Sequence, residues 1–125
     1  MPENRSVILC VDDENVPLIL RRLVLEKSGF QVIPAASGAE ALDILNAQPV
    51  DLVLTDLLMP GLNGLELARK IKERSPSLPI ILLSGVNEVP DDADCADLFL
   101  SKVEGPVAMC EKISEVLKKS RGTAV

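Results

Sequence analysis

Several polar residues stand where apolar runs of the sequence end, and their types could handle phosphate. They are Asp12, Asp13, Asp56, Ser84 and Lys102. Carboxylates are the ligands that hard divalent cations prefer. A hydroxyl and an ammonium group can bond or neutralise phosphoryl oxygens. The set predicts a small acidic site that binds Mg²⁺ or Mn²⁺ and handles phosphate.

Each of these residues also has a structural interpretation when it is taken alone. Asp12 and Asp13 could cap a helix that starts near Asn15. Ser84 precedes a glycine and could begin a turn, and Lys102 could be an ordinary solvated lysine. The functional interpretation depends on all of them meeting at one place, because three carboxylates held together repel each other unless a cation joins them.

Strand-like and helix-like segments alternate along the chain. The predicted strands cover 7–11, 30–34, 50–55, 79–83 and 97–100. The predicted helices cover 16–28, 64–74 and 106–119, and one more opens at the capping box Ser37–Glu40. The segment 91–96 fits a short helix or an irregular loop.

The alternation predicts an α/β fold, a doubly wound five-stranded parallel sheet with helices on both faces. The strand order 2-1-3-4-5 of the flavodoxin-like three-layer sandwich fits five such strands. Ligands of these sheets bind outside the carboxyl ends of the strands. That rule places the polar strand ends together, whereas the second strand ends in Ala35 and Ala36 and offers nothing reactive.

Apolar spacing predicts which face of each helix packs on the sheet. In the first helix these residues are Ile19, Leu20, Leu23 and Val24. In the helix after Asp56 they are Leu65, Ala68 and Ile71, and in the last helix Met109, Cys110, Ile113, Val116 and Leu117. Cys10 and Cys110 are expected to be buried free thiols.

Composition narrows the function classes further. The 125 residues fit a single domain over 1–125 with a core of about 6–119 and no effector domain. The net charge of -6 argues against nucleic-acid binding, and the lack of histidine excludes Ser-His and Cys-His catalysis. No apolar run approaches the roughly 20 residues of a membrane-spanning helix, and no signal peptide is recognisable, which favours the cytoplasm and no membrane partner.

From Val7 to Leu117 the chain resembles the receiver domains of two-component response regulators. The motifs that carry the resemblance are Asp12-Asp13, Asp56, Met59-Pro60-Gly61, Gly64, Ser84-Gly85, Phe99 and Lys102. The resemblance implies that Asp56 accepts a phosphoryl group from a phosphohistidine of a sensor histidine kinase or a histidine phosphotransfer protein. The chain would then signal through an unknown protein output partner rather than act as an enzyme.

The resemblance also implies a role for each site residue. Asp13 and Asp56 would bind Mg²⁺ directly with the Leu58 carbonyl, and Asp12 would help through water. Ser84 would bond a phosphoryl oxygen, and Lys102 would pair with the phosphorylated carboxylate. Ser84 and Phe99 would form the switch, although a core role for Phe99 fits equally well. Apolar Leu58 and Val86 beside the site predict slow autodephosphorylation.

The chain departs from its family after Ser84. Val103 follows Lys102, where receivers usually have a proline in a cis peptide, and a non-proline cis bond costs about 3 kcal/mol; we therefore expect a trans bond. The segment from Ser84 to Lys102 is also short. We expect an atypical acidic output surface and a monomer or weak dimer. The acidic residues are Glu88, Asp91, Asp92, Asp94 and Asp97.

Two alternatives to a phosphorylated receiver stay open. One is a small-molecule phosphatase that works through an aspartyl-phosphate intermediate, although its Asp-x-Asp motif differs from the adjacent pair here. The other is a degenerate receiver that binds partners without phosphorylation.

Overall fold

Strands and helices alternate along the chain in the computed structural model, which describes residues 5–85 and 96–120. The strands are β1 (Val7–Val11), β2 (Gln31–Ala35), β3 (Leu52–Asp56), β4 (Ile80–Ser84) and β5 (Leu98–Ser101). The helices are α1 (Asn15–Lys27), α2 (Gly38–Ala47), α3 (Gly64–Arg74) and α4 (Gly105–Ser120). A 3₁₀ turn over Lys102–Glu104 leads into α4. In the segment 91–96, predicted as a helix or a loop, only Ala96 is among the described residues, and it is in neither a helix nor a strand.

The five strands form one parallel sheet in the order β2-β1-β3-β4-β5. The predicted α/β fold, a doubly wound flavodoxin-like sheet, is therefore confirmed. Parallel neighbours bring the carboxyl ends of all strands to one edge of the sheet. None of the helices in the described ranges is long and apolar enough to cross a membrane.

Two apolar layers cover the two faces of the sheet. One contains α1 and α4 with the strand residues Ile8, Cys10, Leu52, Leu54, Ile81 and Leu83. The other contains α2 and α3 with Leu9, Val11, Val53 and Ile80. Both faces of the central strands are buried, which is why these strands have continuous apolar sequences.

Strands β3, β4 and β5 each end one residue later than predicted. Their last residues are the polar residues that the sequence analysis placed just after each strand, namely Asp56, Ser84 and Ser101. Apolar runs stop at the first polar side chain, but the backbone ladder continues, so that Ser84 pairs with Ser101 and Asp56 pairs with Leu83. The sheet therefore fixes the backbone of the site residues directly.

The predicted inward face of α1 is wrong. Leu18 and Leu25 are the buried residues of this helix, and Val24 is partly buried. Ile19, Leu20 and Leu23 are each more than half exposed. Because the helix is apolar almost all round, its periodicity did not distinguish the two faces, and contact with the sheet decided between them.

The helices on the other face begin at side-chain caps, of which the sequence analysis predicted the one at Ser37 and not the one at Asn63. Ser37 Oγ accepts a hydrogen bond from Glu40 N, which starts α2. Asn63 and Glu66 form a reciprocal capping box at the start of α3. Leu67 is buried in α3 beside the predicted Ala68 and Ile71, whereas the predicted Leu65 is only partly buried.

Candidate functional site

Asp56 is the last residue of β3 and is 6% exposed. Lys102 Nζ lies 2.7 Å from its Oδ1, an ion-pair distance. No donor of the described residues meets that buried oxygen at a hydrogen-bonding angle. A buried carboxylate oxygen with an ionic contact and no directed hydrogen bond retains lone-pair capacity for a metal or a phosphoryl group.

The pKa of Asp56 is raised above its ordinary value. Burial is the main cause, and the negative charge of Asp12 adds to it. The ion-pair contact with Lys102, and the more distant charge of Arg21, lower the pKa and only partly offset the burial. The ionised carboxylate is therefore held in the fold at a cost that a further cation would relieve.

Asp12, Asp13 and Asp56 form an acidic cluster at the carboxyl edge of the sheet. One carboxylate oxygen from each of the three residues lies within 4.8 Å of the other two. Asp12 and Asp56 are buried, whereas Asp13 is exposed, so the cluster opens to solvent on one side. Oxygen ligands at this spacing with access to water fit Mg²⁺, which keeps several of its waters in proteins.

Both carboxylate oxygens of Asp12 already receive hydrogen bonds from the protein. Oδ1 accepts from the Glu14 backbone N–H at 2.9 Å, and Oδ2 accepts from Arg21 Nη1. Glu14 is the N-cap residue of α1 and has no side-chain cap. Asp12 thus orders the turn before α1 without being its cap residue.

Sequence reasoning missed Arg21. It lies between apolar residues of α1 and next to a second arginine, Arg22. Only the packing of α1 on the sheet turns Arg21 inward, to a side chain 15% exposed, and leaves Arg22 46% exposed. The one signal in the sequence is that Arg21 has a long, positively charged side chain and lies on the helix that directly follows Asp12.

Of the remaining predicted site residues, Ser84 and Leu58 follow or end their strands at the same edge, whereas Phe99 lies within β5. Ser84 is buried at the end of β4, next to the residue that pairs with Asp56. Leu58 follows β3 with its side chain 57% exposed, and its carbonyl remains a predicted metal ligand. Phe99 lies on β5 opposite Leu82, half-buried, and is in neither apolar layer of the described residues.

The loop after Lys102 agrees with expectation. The described residues contain no cis peptide bond, and Lys102–Val103 is therefore trans.

Cys10 is buried as predicted, and burial raises the pKa of its thiol to about 12. Cys110 is only partly buried.

One member of the predicted acidic output surface has a structural role instead. Asp97 Oδ2 accepts from the Ile80 backbone N–H at 2.7 Å and pairs with Lys72 Nζ at 3.0 Å. It precedes β5 and therefore lies at the amino edge of the sheet, opposite the acidic cluster. The other members, together with Val86, lie outside the described residues.

Comparison with known proteins gives one family. A model of the response regulator receiver domain matches residues 8–114. The transcriptional regulatory protein GlrR of Escherichia coli is 35% identical over 124 residues, 96% of this chain and 28% of its own length. The chain spans about half or less of the length of the first curated relatives.

Solved structures agree with this match. A response regulator receiver domain protein from Clostridium thermocellum is 30% identical with a TM-score of 0.85, over 93% of this chain and 97% of that one. The response regulator TrrA from Thermotoga maritima, solved in complex with Mg²⁺-BeF, is 32% identical with a TM-score of 0.84, over 89% of this chain and 98% of that one.

Proposed function

The chain belongs to the response regulator receiver domain family, and we propose that Asp56 accepts a phosphoryl group from a phosphohistidine of a partner kinase or phosphotransfer protein. The single observation that carries the proposal is the buried Asp56 carboxylate, which lies between two further carboxylates and the Lys102 ammonium. A nucleophile, a cation site and a positively charged side chain are the parts that support phosphoryl transfer.

In the proposed reaction a carboxylate oxygen of Asp56 forms a bond to phosphorus as the P–N bond to the donor imidazole breaks. The imidazole nitrogen keeps the electron pair. Lys102, 2.7 Å from Asp56 Oδ1, would neutralise charge on the phosphoryl oxygens, and buried Ser84 would donate its hydroxyl to one of them. Movement of Ser84 and half-buried Phe99 would then pass the change to a protein output partner.

Mg²⁺ is the proposed cofactor, and Mn²⁺ would fit the same oxygens. Asp13 and Asp56 with the Leu58 carbonyl would hold it directly, and Asp12 would act through water, since both of its oxygens already accept hydrogen bonds. A bound Mg²⁺ would supply charge neutralisation on the transferred group. The Mg²⁺-BeF complex of TrrA supports this assignment for a structural relative.

Exposed apolar side chains around the site support docking of a phosphohistidine-bearing partner. Four of them, Val16, Ile19, Leu20 and Leu23, lie on α1, which starts directly after Asp12 and Asp13. A cavity of about 370 Å³ continues this surface toward Lys102. A phosphohistidine protein that brings its imidazole to Asp56 would cover these exposed residues of α1. Exposed apolar patches are typical of protein interfaces.

We place the protein in the cytoplasm as a non-enzymatic signalling module without nucleic-acid or membrane partners, monomeric or weakly dimeric. GlrR is named a transcriptional regulatory protein, but this chain spans only 28% of its length. Nucleic-acid contact in the relatives is therefore no argument for contact by this domain, whose net charge is -6.

Intact mass measurement after incubation with Mg²⁺ and a small acyl-phosphate or phosphoramidate donor tests the proposal. We expect one phosphate on the wild type, none on Asp56→Asn and a reduced yield on Ser84→Ala. Asp43→Asn, an exposed carboxylate on α2, is the matched control and should be phosphorylated like the wild type. No adduct on the folded wild type would favour a degenerate receiver, and repeated turnover of phosphomonoesters would favour a phosphatase.

The exposed apolar residues of α1, proposed above as the docking surface, can be tested separately. Leu20→Ser and Leu23→Ser should slow phosphotransfer from a phosphohistidine protein and leave the reaction with a small acyl phosphate unchanged. Glu73→Ser, at an exposed position of α3, is the control and should change neither rate. Equal loss with both donors would place the defect in the site itself rather than in docking.

A further inference from the structure

Arg21 and Arg22 are adjacent on α1 but lie in different surroundings. Arg21 Nη1 donates to Asp12 Oδ2, and the two side chains are 15% and 2% exposed. Arg22 is 46% exposed and pairs with Glu26 one turn further along the same helix. Only Arg21 therefore brings its charge to the acidic cluster.

The charges at the site are nearly balanced by the chain itself. Three carboxylates, those of Asp12, Asp13 and Asp56, face two cations, Arg21 and Lys102. Lys102 is 40% exposed and can move with a bound phosphoryl group. Arg21 is 15% exposed, and its hydrogen bond to Asp12 fixes the direction of the planar guanidinium. Its charge is therefore held beside Asp12.

We propose that Arg21 is a built-in counter-cation that holds the acidic cluster together in the metal-free protein and thereby weakens Mg²⁺ binding. The inference rests on the proposed function, because it concerns the same cation site. A divalent ion that enters the cluster meets the fixed positive charge of Arg21 behind Asp12. Each oxygen of Asp12 also has one acceptor position already taken, Oδ1 by the Glu14 amide and Oδ2 by Arg21.

A purely structural role for Arg21 makes a different prediction. If Arg21 only satisfies the buried charge of Asp12, its replacement lowers stability by the same amount with and without Mg²⁺, because breaking a buried pair leaves an unpaired charge in both states. If Arg21 neutralises the acidic cluster in place of the metal, bound Mg²⁺ restores part of the stability that the substitution removes. The difference in stability between the variant and the wild type then becomes smaller as Mg²⁺ is added.

Isothermal titration calorimetry with MgCl₂ on the full chain tests the proposal. Arg21→Gln removes the charge and keeps an amide donor, and we expect Mg²⁺ to bind it about tenfold more tightly than the wild type. Arg21→Lys keeps the charge and should bind Mg²⁺ within about twofold of the wild type. Arg22→Gln makes the same change in net charge at the neighbouring exposed position and should leave the affinity unchanged.

Thermal unfolding at zero and saturating Mg²⁺ gives the second readout. Arg21→Gln should be destabilised in chelator and recover toward the wild type in Mg²⁺. Unchanged or weaker Mg²⁺ binding by a folded Arg21→Gln would overturn the proposal. If this variant is unfolded in chelator, circular dichroism during a Mg²⁺ titration replaces calorimetry. Refolding with Mg²⁺ supports the proposal, and failure to refold at any Mg²⁺ concentration overturns it.

The outcome separates this inference from the proposed function. A wild type that binds no Mg²⁺ and accepts no phosphate contradicts the proposed function. A wild type that does both, with Arg21→Gln binding Mg²⁺ as the wild type does, contradicts only the role of Arg21.

Discussion

Gly64, the first residue of α3, lies directly against the backbone of Asp56. A Cβ on Gly64 would be 2.2 Å from the Asp56 carbonyl oxygen and 2.9 Å from Leu57 Cα. The Gly64 N–H also donates to the Leu57 carbonyl at 2.9 Å. The close approach fixes the loop that leaves Asp56, so the lack of a side chain at Gly64 is a condition for the geometry of the site.

Gly64→Ala should therefore lower stability by about 2 kcal/mol and reduce phosphoryl acceptance, because backbone atoms must move to admit the methyl group. Gly38→Ala is the matched control at the first residue of α2. Its added Cβ meets only the Leu62 side chain, at 2.8 Å or more, which can adjust more easily. Chemical denaturation and intact mass measure the two effects. Equal losses in both variants would contradict the specific role of Gly64.

Asp56→Asn should raise the thermal stability of the metal-free protein at neutral pH. Burial raises the pKa of Asp56 in the folded state, so the stability contributed by its protonated form is full below the unfolded-state pKa and is lost as pH rises through the folded-state pKa. The neutral amide avoids that loss. Melting curves in chelator should show the gain at pH 7, a smaller gain as pH falls through the raised folded-state pKa of Asp56, and no gain below the unfolded-state pKa of about 4. A variant less stable than the wild type at pH 7 would contradict this.

Lys102→Met should slow phosphoryl acceptance by about tenfold or more, because it removes the cation 2.7 Å from Asp56 Oδ1. The same change should raise the pKa of Asp56 further, since Lys102 lowers it. Lys72→Met is the matched control. It breaks the pair with Asp97 at the opposite edge of the sheet and should affect stability alone. Phosphorylation time courses with a small donor distinguish the two variants.

Leu58→Asn should shorten the lifetime of the phosphorylated protein. Leu58 follows Asp56 by two residues and is 57% exposed, and a polar group there would bring water closer to the acyl phosphate. Val107→Asn, at an exposed position in the first turn of α4, should leave the lifetime unchanged. Loss of phosphate followed by intact mass in Mg²⁺ gives both values. An unchanged lifetime in Leu58→Asn would reject the proposed shielding.

The candidate site was largely predictable because its residues end strands of a parallel sheet. Asp12, Asp13, Asp56 and Lys102 could be placed at one edge once the alternation of strands and helices was recognised. The carboxyl edge of a parallel sheet brings these charges together, and this does not depend on the conformation of the loops. Strand boundaries were less predictable, because backbone pairing continues past the last apolar side chain.

The orientation of α1 was not predictable from its sequence. Apolar residues occur on both the buried and the exposed sides of this helix, so their spacing did not single out one face. Packing on β1 and β2 selected Leu18 and Leu25, exposed Leu20 and Leu23, and turned Arg21 toward Asp12. The docking surface and the proposed counter-cation are both consequences of that one rotation.

The sequence by itself determined the fold class, the strand order and the set of groups at the carboxyl edge of the sheet, because hydrophobic periodicity and chain chirality leave few arrangements. Only the tertiary structure decided which charges touch. Ion pairs such as Lys102 with Asp56 and Arg21 with Asp12 join residues on different elements. Their formation depends on the burial and rotation of whole helices and strands, which local sequence does not encode.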